Sequence, residues 1–164
     1  MDETLKLCDG ELSKADKEFL EKFTNCSCLS LCGVGLKQLR NMPKLPMLEM
    51  LSISDNLLLG DDFQYLREYK NLRYLDLSNN NVRLLDKLMD LAKLENLRQI
   101  NLSANPCQEG NFYRENLFMF LPKVKVLDGF DKSGKIVEEV DKKNYRMEDF
   151  EEQCQVILKA IRKD

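Results

Sequence analysis

The sequence contains no histidine among its 164 residues. Histidine is the commonest general base and the commonest metal ligand, so its absence excludes nucleophilic catalysis by a Ser–His–Asp or Cys–His arrangement. The sequence also lacks a phosphate loop of the G-x-x-x-x-G-K-[ST] type and a run of about 18 apolar residues. We therefore predict a protein that is not an enzyme, holds no cofactor or metal ion and has no membrane partner.

An excess of charge of one sign is also lacking. The chain has 25 basic and 28 acidic residues, which gives a net charge of −3. This balance provides no electrostatic argument for an anionic membrane, and we expect no direct binding of nucleic acid. Met1 begins a charged segment without an apolar signal core, so we expect an intracellular protein with reduced cysteines.

What the sequence does contain is a repeat. Residues 72–82 read LRYLDLSNNNV and fit the template L-x-x-L-x-L-x-x-N-x-L of a leucine-rich repeat, with valine at the final position. Leu75 and Leu77 alternate with polar residues, so one set of side chains should enter a core while the other faces outward. A single unit of this kind cannot bury its own apolar face and needs a copy on each side.

Copies of the template lie before and after this stretch. The fourth template position recurs at residues 5, 29, 51, 75, 100 and 127, a spacing that lies within the known period of this repeat. The copy at 29 has Val34 in place of the asparagine, and the copies at 5 and 127 are degenerate. The sequence therefore predicts an α/β fold, a leucine-rich repeat solenoid with a parallel sheet on its concave side.

Each end of the predicted solenoid has its own signals. Residues 1–12 should hold the first strand, and Ser13 with Asp16 predicts a capped helix over 14–23. At the other end we predict a helix over 112–121, a strand over 124–127 and a terminal cap. The repeat domain should thus span 1–131. Residues 132–164 should form a polar linker followed by an amphipathic helix over 147–162, which either packs on the end of the solenoid or binds a partner.

Two sets of residues have predicted roles in this fold. Asn56, Asn80 and Asn105 should bond backbone groups of adjacent coils and are structural. The concave sheet face should bind a protein partner. Its predicted rows across the strands are Lys6, Ser30, Ser52, Asp76, Asn101 and Asp128; Thr4, Cys28, Met50, Tyr74, Gln99 and Val126; and Glu3, Ser27, Glu49, Arg73, Arg98 and Lys125. Within these rows we select as candidate contact residues Tyr74, Asp76, Arg98, Asn101, Met50, Arg73 and Asp128.

A cysteine cluster offers a zinc hypothesis. Cys26, Cys28 and Cys32 lie close together in the sequence. In the repeat register Cys26 points inward whereas Cys28 and Cys32 face the concave side, so the three sulfurs should not converge on one ion. We predict free thiols and no metal site.

Residues 93–131 resemble a known family. KLENL at 93–97, YREN at 113–116 and LDGFD at 127–131 are similar to the acidic leucine-rich nuclear phosphoprotein 32 family. The resemblance covers roughly residues 1–131. It implies a right-handed solenoid that shuttles between nucleus and cytoplasm, binds histones as a chaperone or masks them from acetyltransferases, and inhibits protein phosphatase 2A. The sequence does not indicate an oligomeric state, and we expect a monomer.

One feature departs from that family, whose members usually continue into a long acidic run. Residues 131–164 contain nine acidic and eight basic residues. If no acidic run follows Asp164 in the gene, strong histone binding is not expected. The alternative is a spliceosomal scaffold resembling the small nuclear ribonucleoprotein A-prime subunit, with a concave face that holds a helix of an RNA-binding partner.

Overall fold

The computed structural model describes residues 7–8 and 10–137. Within these residues no helix is long and apolar enough to cross a membrane. The predicted strand positions before Leu7 and the predicted helix over 147–162 lie outside the described residues. The division into domains 1–131 and 132–164 therefore stays a prediction.

A six-stranded sheet forms the spine of the molecule. Its strands are β3 (Cys28–Ser30), β4 (Met50–Ser52), β5 (Tyr74–Asp76), β6 (Gln99–Asn101), β7 (Val126–Leu127) and β8 (Phe130–Asp131). Strands β3 to β7 are parallel and lie side by side in chain order, and β8 closes the edge as an antiparallel strand. The register aligns the predicted marker residues, namely Leu29, Leu51, Leu75, Ile100 and Leu127. The predicted solenoid is confirmed.

The core is a column of leucines under this sheet. The template apolar residues of the three full repeats are almost fully buried, with Leu51, Leu75 and Ile100 at 0% exposure. Each layer rests on the next, so the apolar column is continuous from Leu12 to Leu127. Burying one such side chain contributes about 1.5–3 kcal/mol, which explains why a polar residue in this column would be costly.

The three asparagines connect the coils by the predicted hydrogen bonds. The Oδ1 atoms of Asn56, Asn80 and Asn105 accept from the amides of Leu36, Leu58 and Val82, one coil earlier in each case. Their Nδ2 atoms donate to carbonyls of their own coil and of the preceding one. All three side chains are buried, so these bonds satisfy backbone groups that water does not reach.

Short helices return the chain on the convex side. They are the 3₁₀ helices Phe63–Glu68, Leu85–Lys93 and Pro106–Glu109 and the α-helix α2 (Tyr113–Phe120). The helix predicted over 112–121 is thus confirmed to within one residue at each end. The longest of these 3₁₀ helices is Leu85–Lys93.

The N-terminal end differs from the prediction. Leu7 does not belong to the parallel sheet, because β1 (Leu7–Cys8) pairs antiparallel with β2 (Glu11–Leu12) in a separate two-stranded sheet. The helix α1 (Lys14–Leu20) then follows. Its capping box is present as predicted, since the Ser13 hydroxyl accepts from the Asp16 amide at 3.1 Å and Asp16 accepts from the Ser13 amide.

The helix α1 is three residues shorter than predicted. After Leu20 the amides of Lys22 and Phe23 bond to carbonyls three residues earlier, so the helix tightens into a turn. Phe23 still packs against the core, which preserves the apolar spacing that suggested a longer helix.

Candidate protein-binding face

The concave face is built from the outward positions of the parallel strands. The register places Met50, Tyr74 and Gln99 in one row and brings Asp76 beside Asn101 in the next. The two predicted rows are therefore confirmed across β4, β5 and β6. Tyr74, Asp76 and Asn101, three of the candidate contact residues, lie together at the centre of this face.

Tyr74 is the large side chain of this group, and it is half-buried. Burial raises its pKa above the usual value of tyrosine, and the negative charge of Asp76 and the nearby Cys32 raise it further. The phenol therefore stays protonated at physiological pH and can donate a hydrogen bond. A half-buried ring with a polar tip is a common anchor in protein interfaces.

Asp76 and Asn101 are held in fixed orientations by the turns that follow their strands. Asp76 Oδ1 accepts from the amide and the hydroxyl of Ser78 at 2.9 and 2.7 Å. Asn101 Oδ1 accepts from the amide of Ser103 at 3.0 Å. Each turn thus fixes the orientation of the side chain before it. The remaining polar atoms of Asp76 and Asn101 therefore have a defined direction before any partner binds.

The N-terminal part of the concave face is more closed. Cys28 and Ser52 are buried although they occupy outward register positions. The Cys32 sulfur lies 3.0 Å from the Ser30 hydroxyl oxygen, 2.9 Å from that of Ser52 and 3.1 Å from that of Ser54. The hydroxyls in this part of the face thus already have partners, which leaves the recognition capacity nearer the C-terminal end.

The cysteines of the zinc hypothesis have separate environments. The buried Cys26 thiol donates to the carbonyl of Cys28 at 2.9 Å, whereas Cys32 lies among serine hydroxyls. Burial raises the pKa of Cys26, which disfavours its thiolate form. Within residues 10–137 no group of three histidine, cysteine, aspartate or glutamate side chains is placed to hold a metal ion.

Arg73 and Arg98 lie at the edge of the sheet where the strands begin. The Arg73 guanidinium is 3.9 Å from the carboxylate of Glu49, one coil earlier. Arg98 Nη1 donates to the carbonyls of Glu95 and Leu97 at 2.8 and 3.1 Å. Both side chains are therefore on the rim of the concave face and are not part of the central group.

Asp128 requires a correction, because it does not extend the row of Asp76 and Asn101. The backbone turns there into the left-handed region at φ 52°, and the side chain enters the C-terminal cap. Its carboxylate accepts from the Leu102 amide at 2.7 Å, the Tyr113 hydroxyl at 2.9 Å and Gln108 Nε2 at 3.1 Å. With three donors already bound, Asp128 closes the last coil.

Two residues of the described chain were missed by the repeat pattern. Lys123 and Lys132 line a surface depression together with Arg98 and Lys125. Neither belongs to a repeat position, since Lys123 precedes β7 and Lys132 follows β8. Only their basic character could have drawn attention to them.

Comparison with known proteins agrees with this architecture. The family model for the leucine-rich repeat matches residues 22–158. Acidic leucine-rich nuclear phosphoprotein 32 family member A from Drosophila melanogaster is 39% identical over 111 residues. The protein of the same name from Drosophila pseudoobscura pseudoobscura is 38% identical over 111 residues. In both cases the aligned region is 68% of this chain but 42% of the relative, so the chain spans about two fifths of these relatives.

A solved structure shares the fold over most of the chain. The crystal structure of the Drosophila melanogaster SNF/U2A′ complex contains a chain with a TM-score of 0.59 and 25% identity, and the match covers 86% of this chain and 76% of that one. The resemblance read from KLENL, YREN and LDGFD is confirmed by the curated relatives. By its repeats, its parallel sheet and these matches, the chain belongs to the leucine-rich repeat family.

Proposed function

We propose that this chain is a non-enzymatic module that binds a protein partner on its concave face, with Tyr74, Asp76 and Asn101 at the centre of the contact. The observation that carries the proposal is the adjacency of a half-buried phenol, a carboxylate and an amide on two neighbouring strands. Such a group can donate and accept hydrogen bonds around an aromatic anchor. Met50 extends the contact in the row of Tyr74, and Arg73 and Arg98 serve as the charged rim.

The partner class we propose is a nuclear protein, with histones as the first candidate. Support comes from the curated relatives, which are named as nuclear phosphoproteins and share more than a third of the aligned residues. On this proposal the protein acts in the nucleus, shuttles to the cytoplasm, chaperones or masks histones and inhibits protein phosphatase 2A. The acidic surface group that would meet a basic histone segment is Asp76.

The decisive experiment is a binding titration of histone H3–H4 with the wild type and a concave-face double variant, Tyr74→Ala plus Asp76→Asn. Asparagine keeps the oxygen that accepts from Ser78, so only the charge is removed from that position. Loss of a central anchor costs at least about 2 kcal/mol, so affinity should fall by more than about tenfold.

The matched control makes the same residue changes on another face, Tyr65→Ala plus Asp86→Asn. Both residues are exposed and belong to the convex 3₁₀ helices. The control should bind like the wild type, and circular dichroism should show that both variants are folded. A concave-face variant that binds H3–H4 as tightly as the wild type would refute the proposal, and the same pair of variants can be tested for inhibition of protein phosphatase 2A.

A second candidate function has a specific observation in its favour. The similar fold in the SNF/U2A′ complex supports a scaffold whose concave face holds a helix of an RNA-binding protein. The same two variants discriminate the candidates when the titrant is an RNA-recognition-motif protein. Binding of that protein, together with no binding of H3–H4, would favour the scaffold.

A further inference from the structure

A cluster of cations lies at the C-terminal end of the solenoid, outside the central group of the concave face. Arg98, Lys123, Lys125 and Lys132 line one depression, and Arg98 also borders a neighbouring depression with Arg73. We call these five residues the basic edge. They are a marked local departure in a chain whose net charge is −3.

The basic edge is poorly neutralised by its surroundings. Among the ion pairs found in residues 10–137, one includes a member of the basic edge, namely Arg73, which lies 3.9 Å from Glu49. Asp131, the acidic residue of the depression, accepts hydrogen bonds from the amide and hydroxyl of Ser133 and from the amide of Lys135. These bonds lower the pKa of Asp131 and hold its carboxylate in its own turn. Lys123, Lys125 and Lys132 are exposed, and within residues 10–137 none of them is found in an ion pair, so the depression keeps a positive net charge even with Asp131 ionised.

The repeat sets the spacing of three of these cations. The Arg98 amide donates to the Arg73 carbonyl at 2.9 Å, and the Lys125 amide donates to the Arg98 carbonyl at 2.7 Å. These residues thus begin successive coils at one register, about 4.8 Å apart. Lys123 and Lys132 line the same depression as Arg98 and Lys125 and add two further positive charges. The result is a strip of positive charge that runs across the strands.

We propose that the basic edge binds an acidic polypeptide segment, rich in aspartate and glutamate, that lies across the starts of the last coils. A strip of flexible lysines beside an arginine fork matches closely spaced carboxylates. Arg98 is the orienting group, because two backbone carbonyls already fix one of its nitrogens. The lysines add electrostatic attraction to the peptide carboxylates, and this attraction weakens as the salt concentration rises.

The surroundings favour a peptide over a nucleic acid. Binding of single strands relies on aromatic rings on which bases stack. The depression itself has no aromatic lining residue. Of the nearby rings, Phe118 is half-buried, with the Arg114 guanidinium and Lys132 Nζ each 5.5 Å from its centre. Phe130 is 39% exposed, and the Arg114 guanidinium lies 5.7 Å from its centre. The lining of the depression thus offers charge and hydrogen bonds without the row of rings on which successive bases would stack.

The test is a fluorescence anisotropy titration of the full chain with a short labelled peptide of alternating aspartate and glutamate. The variant Lys123→Glu plus Lys125→Glu should lose at least about tenfold in affinity. The matched control is Lys14→Glu plus Lys44→Glu, which makes the same change in net charge at two exposed lysines near the other end. The control should retain the wild-type affinity within about twofold.

Four outcomes would overturn the proposal. The wild type could fail to bind the peptide, both variants could weaken binding equally, or neither could weaken it. A single-stranded oligonucleotide of equal charge could also bind about tenfold more tightly, which would assign the basic edge to nucleic acid. The concave-face variant Tyr74→Ala plus Asp76→Asn should leave peptide affinity unchanged, so this result and the histone titration succeed or fail separately.

Discussion

Replacing Asn80 by alanine tests whether the asparagines connect the coils. Asn80 is 5% exposed, and its Oδ1 accepts from the Leu58 amide at 3.0 Å. Its Nδ2 donates to three carbonyls, at distances of 3.0 to 3.2 Å. The alanine variant removes all four bonds at once.

The expected cost follows from which backbone groups lose their last partner. The carbonyls of Ile53 and Leu77 also accept from Asn56 and Asn105, so each keeps a donor. The Ser78 carbonyl still accepts a hydrogen bond from the Asp55 amide. Only the Leu58 amide is left without its acceptor, which costs about 1–3 kcal/mol. With about 1 kcal/mol for the shared bonds, the free energy of unfolding should fall by about 2–4 kcal/mol.

Urea unfolding followed by circular dichroism measures this change, and Asn81→Ala is the matched control. Asn81 is the adjacent asparagine, and no hydrogen bond of its side chain is found within the described part of the chain. The control should change the free energy by less than about 0.5 kcal/mol. Amide hydrogen exchange should also show the largest loss of protection at Leu58. Equal stability of the two variants would refute the role assigned to the asparagines.

Two further predictions concern the C-terminal cap. Tyr113→Phe removes the hydroxyl that donates to Asp128 at 2.9 Å and should cost about 1.5–3 kcal/mol in urea unfolding, since the acceptor is charged; a change below about 0.5 kcal/mol would contradict this. Burial, followed by the charge of Asp128, raises the pKa of Cys107 to about 11. At pH 8 about one thiol in a thousand is then ionised, so iodoacetamide should label Cys107 far more slowly than half-exposed Cys32, as peptide mass spectrometry would show. Equal labelling rates in the folded protein would contradict the burial.

The central repeats could be predicted from sequence because their information is local and repeated. Leu51, Leu75 and Ile100 share a register in the sheet just as they share a template position. The asparagine bonds follow from the same period, because each Asn meets the coil before its own.

The N-terminal end was predicted wrongly because a turn signal was overlooked. Between Cys8 and Glu11 the sequence reads Asp9-Gly10, a dipeptide that favours a two-residue hairpin. Gly10 has φ 86°, and its carbonyl accepts from the amides of Lys37 and Gln38. An added Cβ there would lie 2.7 Å from the Lys37 side chain, so glycine is required for this approach. The alternation of Leu5 and Leu7 fitted a strand but could not determine its partner.

The contacts of the Asp128 side chain could not be predicted from the repeat, because its hydrogen-bond partners come from other segments of the chain. Tyr113 is on α2, and Gln108 is on the 3₁₀ helix that precedes it. In the earlier coils the amide that follows a strand donates to a backbone carbonyl of the next coil, as the Leu77 amide does to the Asn101 carbonyl. At the last coil the Leu102 amide donates instead to the Asp128 carboxylate. The end of a stack lacks a following coil, and a side chain has to replace it.

Different residues stabilise the fold and form the proposed binding face, so the binding face costs the fold little stability. Backbone groups are satisfied by the sheet, the asparagines and the Asp128 cap, and the leucine column supplies the apolar burial. The outward positions of β5 and β6 lie outside the leucine column, so Tyr74, Asp76 and Asn101 can be chosen for a partner. The turns at Ser78 and Ser103 orient these side chains in advance. A partner therefore meets groups that lose little further entropy on binding, and affinity should depend on their chemistry more than on the area covered.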